Sequence, residues 1–114
     1  MEDIDIPFSE AMAIAAIDGK KIATTRSELK GVVGGTFFVE DPRRIGAGGP
    51  AIKYGGWFCL ISIKEVDLKT IRNYYYRLEG FDSPEAFEKT WRALHRGHFT
   101  TGKQYYIHFF GRIA

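Results

Sequence analysis

The stretch DGKKIATTR, residues 18–26, brings together three side chains whose chemistry suits the binding of a polar ligand. Lys21 and Arg26 can meet a phosphate group or the edge of a nucleobase, and the guanidinium of Arg26 presents paired donors in one plane. Thr24 adds a small hydroxyl that both donates and accepts hydrogen bonds. These residue types predict a recognition site, and a solvated strand end is the structural alternative.

The spacing of these residues decides whether their side chains can meet. Thr24 and Arg26 are two positions apart in a predicted strand over residues 22–26, so their side chains share one face. Lys21 is out of phase with both and must project from the turn or bulge after Gly19, a residue that adopts turn conformations at little cost. We predict that the three side chains converge in one cleft.

A second candidate is the loop over residues 41–56, DPRRIGAGGPAIKYGG, which is rich in glycine and proline. Long loops in small domains often carry binding residues. Its cationic side chains are candidates for contacts with a nucleic-acid backbone, namely Arg43, Arg44 and Lys53. Two aromatic residues near its end are candidates for stacking on an unpaired base, namely Tyr54 and Trp57. The alternatives are a buried core for the aromatic residues and plain solvent exposure for the arginines.

Composition predicts a compact domain of ordinary charge. The chain has 114 residues, a length that predicts a single domain over residues 1–114 with one hydrophobic core. Hydrophobic residues make up 45% and aromatic residues 15%, which is typical of a globular domain and argues against disorder. The net charge of +2 permits nucleic-acid binding but does not indicate it, because nucleic-acid-binding domains are usually more basic.

The sequence also predicts the cellular setting. Cys59 is the only cysteine, so no disulfide can form within the chain, which indicates a reducing compartment. No apolar run is long enough to cross a membrane, and the acidic start MEDIDIPF lacks a signal-peptide layout. We therefore expect a cytoplasmic protein without membrane contact. We expect no metal and no cofactor, because the histidines have no cysteine partner for zinc. Monomer and homodimer both stay open.

Hydrophobic periodicity and turn residues predict the elements that must position the site. Helices are predicted over residues 9–18, 69–78 and 83–95, and strands over residues 22–26, 36–40, 57–68 and 103–110. In the last helix, Ser83 is the predicted N-cap, and Phe87, Trp91 and Leu94 form one apolar stripe that should pack on the core. This order predicts an α+β domain, mostly β, built as a small barrel of antiparallel or mixed strands with flanking helices.

The stretch GKKIATTR resembles the signature of the ASCH family, G-x-K-x-x-[E/T]-x-R. Its fixed positions are filled here by Gly19, Lys21, Thr24 and Arg26. The order of the surrounding features is also similar to that family over residues 9–110. The resemblance implies a β-barrel like that of the RNA-binding PUA domains, with a ligand cleft between barrel and helices and the signature at its floor.

The resemblance also implies a possible activity. Some small bacterial ASCH proteins are amidohydrolases that remove the acyl group from N4-acetylcytidine. By this similarity Thr24 is the nucleophile, Lys21 activates it, and Glu79 assists proton transfer to the leaving amine. A lysine can act in this way when burial and a cationic neighbour lower its pKa.

Three hypotheses for function follow. The first is a domain that binds RNA or a nucleoside-like molecule in a cleft marked by Lys21, Thr24, Arg26 and Glu79. The second is an N4-acetylcytidine amidohydrolase, which leaves the enzymatic status of the protein open. The third is a protein-interaction module.

Overall fold

The computed structural model describes residues 4–44 and 54–114. Its helices and strands follow the chain in this order: α1 (Glu10–Ile17), β1 (Ala23–Arg26), β2 (Thr36–Glu40), β3 (Gly55–Asp67), α2 (Leu68–Thr70), α3 (Pro84–Leu94) and β4 (Gln104–Arg112). A 3₁₀ turn over Pro42–Arg44 follows β2, and a π turn over Ile71–Tyr75 continues α2.

Antiparallel pairing joins the four strands of the described residues into one sheet with the order β1-β4-β3-β2. The last strand of the chain therefore lies inside the sheet and pairs with both β1 and β3. Strand β1 forms one edge of the sheet, because its pairing partner within the sheet is β4 alone. This edge is free except at Ala23, whose amide donates to the Leu78 carbonyl oxygen at 3.0 Å. The α+β prediction is confirmed, and the barrel takes the form of an open half-barrel.

Local sequence signals explain where the helices begin and end. The Ser9 hydroxyl accepts a hydrogen bond from the Met12 amide at the start of α1, and the Ser83 hydroxyl accepts one from the Ala86 amide at the start of α3. The chain leaves α1 through Gly19, whose φ of +78° favours glycine. The helix predicted over residues 69–78 is found as the short α2 continued by the π turn, and it ends at Tyr75.

The sheet buries a separate hydrophobic cluster on each face, since neighbouring residues of a strand point to opposite sides. Tyr105 and Ile107 of β4 lie in the cluster beneath α3, together with Phe87 and Trp91. Phe110 of β4 lies in the other cluster, which packs beneath α1. The register pairs Thr24 with His108 and Thr25 with Ile107, so these adjacent threonines belong to opposite faces of β1.

The apolar stripe predicted along α3 is only partly correct. Phe87 and Trp91 are buried, but Leu94 at the last turn is 66% exposed. The reason is geometric, because the chain turns away after Leu94 and returns to the sheet only at Gln104. The end of α3 therefore forms a rim beside the sheet.

His108 anchors the segment that follows β1. It is fully buried, and its Nε2 accepts a hydrogen bond from the Lys30 amide at 2.9 Å. Its Nδ1 lies 3.0 Å from the Tyr106 carbonyl oxygen, so Nδ1 carries the proton of a neutral ring and donates it. Burial is the largest of the effects that lower the pKa of His108 below its usual 6.5.

We expect this histidine to make stability depend on pH. The unfolded chain binds a proton at His108 more readily than the folded chain, so the free energy of unfolding should fall as pH drops from 6.5 toward the lowered pKa. The slope from this one group is at most about 1.4 kcal/mol per pH unit. Urea unfolding between pH 7.5 and 5 measures it, and the His108→Gln variant should lack this component. Equal slopes in the two proteins would contradict the assignment.

Candidate functional site

A pocket of about 380 Å³ lies where the start of α1, the free edge of β1 and helix α3 meet. Its polar floor and its largely apolar wall come from separate parts of the chain. The floor is formed by Lys21, Thr24, Thr25, Arg26 and Glu79. The wall includes Phe8, Met12, Phe81, Phe87, Trp91 and Leu94, with His95 at the end of α3. The four residues that mark the predicted cleft all line this pocket.

Lys21 and Glu79 form a buried ion pair at the floor. Lys21 is only 2% exposed, and its Nζ donates to Glu79 Oε1 at 3.3 Å and to the Glu79 carbonyl oxygen at 2.9 Å. Burial lowers the pKa of Lys21, and the charge and hydrogen bond of Glu79 oppose that effect without reversing it. The two residues are 58 positions apart, so only the folded chain brings them together.

Thr25 completes the contacts of that carboxylate. Its hydroxyl donates to Glu79 Oε2 at 2.6 Å, while Lys21 occupies Oε1. Both oxygens of Glu79 therefore accept a hydrogen bond from a buried donor, which holds the carboxylate in one orientation. Gly80 follows with a φ of +97°, and a Cβ there would lie 3.1 Å from Lys21 Cβ, so a side chain would press on the ion pair.

Thr24 and Arg26 form the second polar contact of the floor, on the other face of β1. Arg26 Nη1 donates to the Thr24 hydroxyl at 2.5 Å and to the Thr25 carbonyl oxygen at 3.0 Å. Arg26 Nη2 donates to the Pro7 carbonyl oxygen at 2.6 Å, which ties the segment before α1 to the strand. Thr24 and Arg26 share a face as predicted. Because β1 has a free edge, residues from both of its faces reach the pocket.

The aromatic side of the pocket is centred on Trp91. Its ring stacks on His95 with centroids 4.0 Å apart and planes 12° apart, and on Phe87 at 5.9 Å. His95 Nδ1 lies 2.7 Å from the Trp91 carbonyl oxygen, so the imidazole ring is fixed in place at the pocket rim. The pocket therefore combines charged donors and acceptors at its floor with a wall of aromatic rings.

The other residues predicted to contact a ligand do not line this pocket. Arg43 pairs with Asp18 at 2.9 Å and with Asp41 at 2.9 Å, and its hydrogen bonds are the main cause of the lowered pKa of both carboxyls. Arg44 lies over the Tyr54 ring, 5.0 Å from its centroid. Those two residues and Trp57 have no place in the lining, and Lys53 lies outside the described residues.

Trp57 contacts Phe38 across the β2–β3 pair and is 40% exposed. Its role as a stacking residue, like those of Arg43, Arg44 and Tyr54, stays a prediction.

Sequence reasoning missed several residues of the pocket. Thr25 carries no signal of its own, because it stands at a variable position of the signature and on the face opposite Thr24. Trp91 was predicted as a core residue, and it both packs in the core and lines the pocket. His95 had a detectable signal, since it lies one turn after Trp91 on the same side of α3.

The described part of the chain has neither a metal-binding cluster nor a membrane-spanning helix. Residues 4–44 and 54–114 contain no group of three or more His, Cys, Asp or Glu side chains that could hold a metal ion. Within the same ranges, every helix is too short or too polar to cross a membrane.

Comparison with solved structures identifies the fold. An ASCH domain from Lactobacillus crispatus JV V101 is 15% identical, with 94% of this chain and 76% of that chain covered and a TM-score of 0.63. An ASCH protein from Zymomonas mobilis is 18% identical, and the alignment covers 96% of this chain and 67% of that chain with a TM-score of 0.64. A protein from Enterococcus faecalis V583 is 14% identical, and the alignment covers 91% of this chain and 71% of that chain with a TM-score of 0.60.

No protein-family model and no curated protein matches the sequence. At these identities the structural similarity establishes the fold. The chain has the fold of ASCH domains, and the resemblance predicted from its sequence is confirmed at that level.

Proposed function

We propose that this protein is an ASCH domain that binds a nucleoside, or an unpaired base of an RNA strand, in the pocket between β1, α1 and α3. The observation that supports this most is the combination of a hydrogen-bonding floor with an aromatic wall in one pocket. A nucleobase needs both features, because its faces stack on rings and its edge carries donors and acceptors.

The hydrogen bonds already made by the floor favour a base over a phosphate group as the buried part of the ligand. Glu79 neutralises Lys21 inside the pocket, and Arg26 already donates to a hydroxyl and to two backbone oxygens. A phosphate would have to displace these internal partners of the two cations before they could bind it. A planar ring can stack on the aromatic wall without displacing them, so we expect the phosphates of an RNA strand to stay outside the pocket.

A titration tests this proposal directly. Trp91 is the tryptophan of the pocket, so a Trp57→Phe protein leaves its fluorescence as the reporter. We expect cytidine and a short single-stranded RNA to change that fluorescence. RNA affinity should fall as salt rises, because backbone contacts release counterions, whereas cytidine affinity should change little. A fluorescence signal that responds to neither ligand would contradict the proposal.

A second candidate function is hydrolysis of an N4-acylated cytidine. The observation that favours it is the buried set of Lys21, Glu79 and Thr25, in which a hydroxyl, a carboxylate and a lysine are joined by hydrogen bonds. Such a set can move a proton between a nucleophile and a leaving group. Release of cytidine from N4-acetylcytidine tests it, and binding of cytidine without any hydrolysis would leave the first function standing alone.

A further inference from the structure

The two neighbouring threonines of the pocket have opposite hydrogen-bond roles. The Thr24 hydroxyl accepts a hydrogen bond from the guanidinium of Arg26. The Thr25 hydroxyl donates its proton to the Glu79 carboxylate at 2.6 Å. A hydroxyl becomes a nucleophile when an adjacent base takes its proton. Thr25 already makes the contact with a base that this chemistry requires.

Thr24 lacks the corresponding contact. Its proton has no acceptor among the residues that the structure describes, and one of its lone pairs is occupied by Arg26. A hydroxyl polarised in this way by a guanidinium is well suited to donate a hydrogen bond to an oxygen of the ligand. The geometry therefore separates the two hydroxyls into one that can lose its proton to a carboxylate and one that can stabilise negative charge.

We propose that Thr25, and not Thr24, is the nucleophile toward an N-acyl nucleoside, with Glu79 as its base. This inference rests on the hydrolase function proposed above. It assigns a catalytic role to a residue outside the fixed positions of the signature. It also makes Lys21 a positioning residue, since its ammonium donates a hydrogen bond to the other carboxylate oxygen of Glu79.

The reaction can be written with every proton assigned. Thr25 Oγ1 bonds to the acyl carbon while its proton passes to Glu79 Oε2, and the carbonyl electrons move to the acyl oxygen. Collapse of this intermediate breaks the bond from acyl carbon to N4, and Glu79 returns its proton to the leaving nitrogen. Water then attacks the threonyl ester, gives one proton to Glu79, and releases the carboxylic acid as that proton returns to Thr25.

The test compares matched variants of the full chain. Thr25→Val removes the hydroxyl at nearly constant volume, Thr25→Ser keeps it, and Thr24→Val is the control at the neighbouring position. With N4-acetylcytidine as substrate, we expect Thr25→Val to lower kcat by at least about 1,000-fold and Thr25→Ser to retain turnover. Thr24→Val should lower kcat far less than Thr25→Val does, because the Thr25 hydroxyl and the Glu79 carboxylate stay in contact.

A second measurement does not depend on how well each variant folds. Wild-type protein mixed with N4-acetylcytidine is quenched in acid during turnover, and fragmentation mass spectrometry locates the acetyl group on the peptide. Acetyl on Thr25 is the expected result. Acetyl on Thr24, acetyl on neither residue, or full turnover by Thr25→Val would each overturn the inference while leaving the hydrolase function intact. Absence of turnover by the wild type would remove the hydrolase function itself, and the inference with it.

Discussion

Replacing Lys21 with methionine is expected to destabilise the protein by about 3–5 kcal/mol, because the substitution leaves the Glu79 carboxylate buried without its cation. Both side chains of this pair are almost completely buried, at 2% and 4% exposure, so water cannot take the place of the lost ammonium. The same substitution should abolish binding of cytidine, since the floor of the pocket loses its ordered carboxylate. Urea unfolding monitored by circular dichroism measures the first effect, and the fluorescence titration measures the second.

A double substitution separates the loss of the pair from the loss of packing. In Lys21→Met with Glu79→Gln neither member of the pair carries a charge, and the new amide oxygen can still accept the hydrogen bond from Thr25. We expect this protein to recover most of the lost stability, because the cost of the single variant comes from an unpaired charge. Lys64→Met is the control at an exposed lysine and should stay within about 0.5 kcal/mol of the wild type. If both variants at Lys21 were equally unstable, packing would be the cause instead of charge.

Replacing Arg26 with methionine is expected to weaken binding of the nucleoside by roughly 10- to 150-fold. Arg26 holds the floor in one arrangement through its contacts with Thr24, the Thr25 carbonyl and the Pro7 carbonyl. A hydrogen bond of a charged donor contributes about 1.5–3 kcal/mol, and in the variant binding of the ligand must supply this free energy to order the floor. The variant loses these contacts, so the Thr24 hydroxyl and the segment at Pro7 lose their fixed positions. Affinity for cytidine, measured in the Trp57→Phe background, gives the size of the effect.

Arg43 supplies the matched control for this experiment. Its guanidinium lies outside the lining of the pocket and already pairs with the exposed Asp18 and the buried Asp41. Arg43→Met should therefore leave cytidine affinity within about twofold of the wild type, on the scale of a neutral surface substitution. Arg26→Lys is informative as well, because lysine keeps the charge but cannot donate to several oxygens at once in one plane. Equal affinities for all of these proteins would exclude Arg26 from the binding site.

Most of the fold could be predicted because its signals are local. The caps at Ser9 and Ser83 mark the starts of two helices, and strands rich in β-branched and aromatic residues form at the predicted places. The end of a helix at a sheet edge is decided by packing, so the exposure of Leu94 could not be predicted from its place in an apolar stripe. The segment after β3 shows the same limit, since the π turn at Ile71–Tyr75 has no reliable pattern in sequence.

The sequence by itself determined which side chains of residues 19–26 can take part in chemistry, and the family resemblance added Glu79. Only the tertiary structure decided which partners they have. In the structure Glu79 accepts hydrogen bonds from Thr25 as well as from Lys21. Arg43 pairs with the carboxylates of Asp18 and Asp41, and Trp91 lines the pocket instead of Trp57. The physical reason is that a hydrogen bond or a stacking contact requires two groups to be close in space. The partners of the residues in β1 belong to segments far away in the chain, and only the folded sheet and helix bring them close.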